Sequence, residues 1–109
     1  MVDVKLFGST IRSQILMLVA LLDETYPREI ARVGDFPLAS VQRIVTDLER
    51  EGVLATRVVG ANRMVSLNPR FYGVNDLRAL LLKYAKRDPE IELRASQLRR
   101  RPRRTGKNL

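Results

Sequence analysis

The chain contains no cysteine and no histidine. Without cysteine there is no disulfide framework, no thiolate metal site and no thiol nucleophile. Without histidine the commonest general base and the commonest transition-metal ligand are missing as well. Tryptophan is absent and aromatic residues make up only 6%, so the core must be built mainly from Leu, Val, Ile and Ala. The longest apolar run, Ile15 to Leu22, has eight residues, well short of the roughly 20 that cross a bilayer. It is neither preceded by a basic segment nor followed by a small-residue cleavage pattern, so no signal peptide is expected and a cytoplasmic protein is the default. No glycine-rich phosphate loop and no nucleophile–base–acid set can be assembled. The expectation is a protein that is not an enzyme and uses no cofactor.

What the chain does have is positive charge. Its 109 residues suit one domain with one core, and 45% hydrophobic with 29% charged residues is ordinary. A net charge of +8 and a pI near 10.8 are not ordinary. They point to a polyanionic partner, nucleic acid ahead of an anionic membrane. The charge is unevenly placed: residues 1–88 carry 13 Lys/Arg against 10 Asp/Glu, and residues 89–109 carry 7 against 2.

Periodicity supplies the elements. Ser9 suits an N-cap, and Ile11, Ile15, Leu18 and Leu22 form one stripe of a first helix. Leu16, Met17, Val19 and Leu21 fill much of the remaining circumference, so this helix needs a second covered side, from another element or another subunit. Asp23, Glu24 and Thr25 form a polar break, with Asp23-Glu24 read as a surface turn. Tyr26-Pro27 opens a short second helix with Ile30 and Ala31 inward, and Gly34 is expected to stop it. A third helix covers 37–51. Its Val41, Ile44, Val45 and Leu48 share one face, while Ala39, Gln42, Arg43, Thr46 and Arg50 share the other, and Gly52 ends it. Two helices joined by a turn as short as Gly34-Asp35-Phe36 are a helix-turn-helix unit.

The period then changes. Val53–Val59 and Asn62–Leu67 are rich in β-branched and apolar residues, and Gly60-Ala61 between them suits a type II′ turn. This predicts a hairpin over 53–67, a wing, with Arg57, Asn62 and Arg63 near its tip. A helix starting near Asn75 places Leu77, Leu80, Leu81 and Tyr84 on one face. Asp88-Pro89 starts a last helix, striped by Ile91, Ala95 and Leu98, with Glu90 and Glu92 at its positive end and Arg99, Arg100 and Arg101 at its negative end. Residues 102–109 have no apolar pattern and are expected to be disordered when free.

The expected division is therefore a winged helix-turn-helix domain (1–88), a C-terminal amphipathic helix (89–101) and a basic tail (102–109). The fold class is mainly α with one small β-hairpin, in the order α-α-α-β-β-α-α, a three-helix core plus wing. On such a fold the 37–51 helix is the recognition helix for duplex DNA. Arg can bond guanine O6 and N7 bidentately, and Gln can bond adenine N6 and N7. Asp47 and Glu49 repel phosphate and must lie away from the backbone or accept from cytosine. Arg28, where the second helix starts, is a phosphate candidate. Arg57 and Arg63 serve either as backbone or minor-groove contacts or as ordinary edge-strand charges. Arg99, Arg100, Arg101, Arg103, Arg104 and Lys107 serve either nucleic-acid affinity or solubility. If all six met phosphates, the salt slope of log K would steepen by about five.

Gly-Ser-Thr-Ile-Arg-Ser-Gln-Ile-Leu (8–16), Arg-Glu-Ile-Ala-Arg (28–32), Ser-Val-Gln-Arg-Ile-Val-Thr-Asp-Leu-Glu-Arg-Glu-Gly-Val-Leu (40–54) and the Arg57–Asn68 wing resemble the ArsR-type winged helix-turn-helix regulators. The resemblance spans roughly residues 5–87. It implies a homodimer through the first and last helices, major-groove entry by the third helix, and Ser40, Gln42, Arg43 and Thr46 as groove-facing positions. The family's metal sensors use Cys, His or carboxylate ligands, and the first two are missing here, which excludes the thiolate route. Pro37 stands where many members have a polar cap. Two other uses of such a chain stay open: a winged-helix docking module for protein partners, and RNA binding, which the scattered Tyr26, Tyr72 and Tyr84 do little to support.

Overall fold

The computed structural model describes residues 8–100, with side chains to Leu98. The elements run α1 (Thr10–Leu22), α2 (Pro27–Gly34), α3 (Leu38–Arg50), β1 (Leu54–Val59), β2 (Asn62–Leu67), α4 (Val74–Ala85) and α5 (Pro89–Arg100). The chain is mainly α with one antiparallel hairpin, in a helix-rich winged-helix layout.

The capping expected at both ends of the chain is present. The Arg12 N–H donates to Ser9 Oγ at 3.2 Å, and the Ile91 N–H donates to Asp88 Oδ1 at 3.2 Å ahead of Pro89. Each bond satisfies an amide that the helix itself leaves unpaired. Helix α3 closes in a Schellman motif. The Val53 N–H reaches Leu48 O at 2.9 Å and the Gly52 N–H reaches Glu49 O at 3.0 Å, with Gly52 at φ 81°.

Helix α2 ends at Gly34 as expected, but not because Gly34 takes a left-handed conformation. It is the last helical residue, and the left-handed conformation falls on Asp35, at φ 58° and ψ 50°. Asp tolerates that region through its short polar side chain. Glycine is required at 34 for space instead: a Cβ there would lie 2.1 Å from Phe36 Cε2. The Phe36 ring thus folds back over the end of α2 and sets the short turn into α3.

Helix α1 is the axis of the core. Ile15, Leu16, Met17, Leu18 and Val19 are all at most 1% exposed, which needs cover on every side. That cover comes from the same chain, because α2, α4, α5 and β2 all pack on α1. Ile91 and Ala95 of α5 are buried in the shared core, and Leu98 packs against it. Arg94 fastens α5 further: its guanidinium donates to Val33 O at 2.9 Å, at the carbonyl end of α2, and to Glu90 at 2.7 Å.

Two sequence expectations change here. Leu80 does not join the buried face of α4: Leu77, Leu81 and Ala85 are buried, Tyr84 is half-buried and Leu80 is 39% exposed. In the run Leu80-Leu81-Leu82 only one rotation of the helix can meet α1, and it selects Leu81. The polar break before α2 is also more than a turn. Asp23 is exposed as expected, but Thr25 is fully buried and forms an isolated antiparallel bridge with Val65. Its N–H donates to Val65 O at 2.9 Å and the Val65 N–H returns to Thr25 O at 2.7 Å. The bridge gives the hairpin a one-residue third strand on the β2 side.

Hairpin register runs from Leu54↔Leu67 to Val59↔Asn62. This leaves Gly60-Ala61 as the two-residue loop. Gly60 has φ 61° and Ala61 is not among the positive-φ residues, as a type II′ turn requires. No helix among the described residues is long and apolar enough to cross a membrane.

Candidate nucleic-acid interface

Helix α3 buries Val41, Ile44, Val45 and Leu48. With 3.6 residues per turn, the ridge directly opposite is Ala39, Arg43, Thr46 and Arg50. Gln42 and Glu49 lean to the flank that meets the wing, while Ser40 and Asp47 lean to the other. Arg43 and Gln42 are exposed, and Ser40 and Thr46 are half-buried. Arg43 makes no ion pair among the described residues. Arg50 contacts Asp47 at 3.4 Å, with its own side chain 74% exposed. An exposed pair of that length holds weakly, so Arg50 stays available to an outside anion.

The wing sorts its polar residues by strand alternation. Leu54, Thr56 and Val58, with Arg63, Val65 and Leu67 opposite, share one face. Buried Val65 and Leu67 turn that face to the core. Arg57 projects from the other face, and Asn62 is the last paired residue beside the turn. Arg57 binds Glu24 through two nitrogens, at 2.9 and 3.1 Å. Arg63 binds Glu49 Oε1 at 2.7 Å and Thr46 Oγ1 at 3.3 Å. Both wing arginines are thus held by carboxylates of their own chain, and the tip itself presents Val58 and Val59, 78% and 45% exposed.

Glu49, expected either to lie away from the DNA backbone or to accept from cytosine, is instead a link within the protein. Its second oxygen accepts from Thr56 Oγ1 on β1 at 2.5 Å. One carboxylate therefore joins the last turn of α3 to both strands of the wing. The Thr56 hydroxyl, then the Arg63 guanidinium, hold it below the usual carboxylate range. The signal was present in the spacing, since Glu49 lies three residues after Thr46 and seven after Gln42 and so shares their flank. Asp47 faces away from the wing.

Four of the expected residues come together. A cleft of about 240 Å³ between the start of α2, α3 and the wing tip is lined by Tyr26, Pro27, Arg28, Gln42, Ala61, Asn62 and Arg63. Arg28 makes no ion pair among the described residues. It belongs to the first turn of α2, where free backbone N–H groups add partial positive charge. Tyr26 was not foreseen as part of this surface. Arg57 lies apart, turned to the α1–α2 connection. The side chains of Arg99 and Arg100, and Arg101, Arg103, Arg104 and Lys107 entirely, lie outside the described residues.

No protein-family model, curated protein or solved structure matches the chain.

Proposed function

We propose that this protein is a sequence-specific, duplex-DNA-binding transcriptional regulator of the ArsR-like winged-helix kind, acting in the cytoplasm. The observation that carries the reading is the exposed α3 ridge, with Arg43, which has no ion-pair partner among the described residues, at its centre and a cleft holding Arg28, Gln42 and Asn62 beside it. A 13-residue helix is about 20 Å long and fits the major groove endwise or along its length. In this reading Arg43 takes guanine O6 and N7, Gln42 takes adenine N6 and N7, and Ser40 and Thr46 make shorter contacts. Arg28, Arg50 and Asn62 bind backbone phosphates and fix the register.

Regulators of this kind act as homodimers, and a dimer through the first and last helices belongs to the proposal. What supports it is a cleft of about 490 Å³ between Leu21 of α1 and Pro89, Glu92, Leu93, Ala95 and Ser96 of α5, where Leu93 is 57% exposed. Two copies would present their α3 helices about one DNA turn apart on a two-fold site.

The test is selection of bound sequences from a random duplex pool, followed by Arg43→Ala on the selected site. The expected loss is about 1–3 kcal/mol on that site with little change on unrelated duplex. An equal loss on both DNAs removes the base-reading role. A docking module for a protein is the second reading, favoured by Tyr72, which is 98% exposed just before α4. Absence of duplex binding at low salt would select it.

A further inference from the structure

The wing has two cations and offers neither freely. Arg57 is taken by Glu24 and Arg63 by Glu49, but the two pairings differ in kind. Arg57 and Glu24 are 66% and 41% exposed, on the side of the hairpin away from α3. Arg63 and Glu49 are 33% and 40% exposed, and Arg63 also lines the cleft beside Gln42 and Arg28. Glu49 stands where a DNA phosphate would have to stand to claim Arg63: two oxygens of one anion, one on the guanidinium and one on a hydroxyl.

We propose that Glu49 is a specificity-determining positioning residue, an internal anion that occupies Arg63 and Thr56 in place of phosphate. The proposal rests on the DNA-binding reading above and deepens it. Held this way, the wing is set against α3 at a fixed spacing, and its inner cation is cancelled. The wing then contributes placement instead of sequence-independent attraction. Nonspecific affinity comes from phosphate neutralisation, so withholding one cation lowers the background against which Arg43 and Gln42 discriminate. Thr46 ties the arrangement to the reading ridge itself, because its hydroxyl accepts from the same Arg63.

The experiment is a salt titration of binding to the selected site and to unrelated duplex. It compares the wild-type protein with Glu49→Gln, Arg63→Gln and the double variant, each checked for native helix content. Both side chains lie at the surface, so the fold is retained. Glu49→Gln should raise affinity for unrelated duplex several-fold and steepen the slope of log K against log salt by about 0.9, the value of one added phosphate contact. The ratio of specific to nonspecific affinity should fall. Arg63→Gln should leave the slope at its wild-type value, and the double variant should return to that slope.

Two results overturn the inference while leaving DNA binding intact. In the first, Glu49→Gln gains affinity that survives in the double variant, so that Glu49 acts only by its own repulsion. In the second, Arg63→Gln alone flattens the slope by about one, so that Arg63 already reaches phosphate. A wild-type protein that binds no duplex at low salt refutes the DNA reading, and this inference with it.

Discussion

Replacing Gly34 by alanine sets two effects of known size against each other. Gly34 has helical backbone as the last residue of α2, and there alanine is favoured over glycine by roughly 0.5–1 kcal/mol. Against that gain, the new methyl carbon would fall 2.1, 2.5 and 2.6 Å from three atoms of the Phe36 ring. Separations that short force the ring out of its place. Phe36 is half-buried and packs against the core, and overpacking of this sort costs about 1–3 kcal/mol. The clash outweighs the propensity, and a net loss of about 1–2 kcal/mol is expected. For a domain near this size that lowers Tm by roughly 4–8 °C per kcal/mol. Urea and thermal denaturation of Gly34→Ala measure the loss directly. Repeating the substitution in a Phe36→Ala background isolates the cause: with the ring gone, alanine at 34 should become stabilising by roughly 0.5–1 kcal/mol. A Gly34→Ala protein as stable as wild type, or an equal loss in both backgrounds, would refute the account of the turn.

Two further outcomes follow from single side chains. Asp88 is 3% exposed and caps α5, so Asp88→Ala should cost about 0.5–2 kcal/mol in urea denaturation, with Asp88→Asn recovering most of it. Glu49 has its carboxyl held below the ordinary range by Thr56 and then Arg63. The sign follows from a folded pKa below the unfolded one: its stabilisation is present above the unfolded value of about 4.3 and is lost as pH falls through the folded value. The stability difference between wild type and Glu49→Gln should therefore shrink from neutral to acidic pH, and a constant difference would contradict the assignment. The effect is small because Glu49 is 40% exposed.

Much of the fold was legible because local chemistry and period agreed along the chain. Ser9, Asp88-Pro89 and the glycines at 52 and 60 each mark a boundary for a stated stereochemical reason, and the α3 face of Val41, Ile44, Val45 and Leu48 is buried as its spacing predicts. Three things were not legible. The buried side of α4 depends on which leucine of three meets α1. The Thr25–Val65 bridge involves one residue on one side, too short to leave a periodic trace. The partners of Arg57 and Arg63 come from distant segments, Glu24 and Glu49. Strand alternation could have separated those two arginines onto opposite faces, but it could not name what each would meet.

The pairing of Thr25 with Val65 has a consequence for how this protein can be rebuilt. These residues stand about forty positions apart, yet they exchange both backbone hydrogen bonds. The segment between them, holding α2, α3 and most of the wing, thus leaves and re-enters the body at one point. It is a cassette with a single doorway. A transplanted segment that keeps Thr25, Val65 and the inward residues of α2 and α3, among them Ile30, Val33 and Val41, arrives with its ends already joined and with the faces that α1 and α5 meet unchanged.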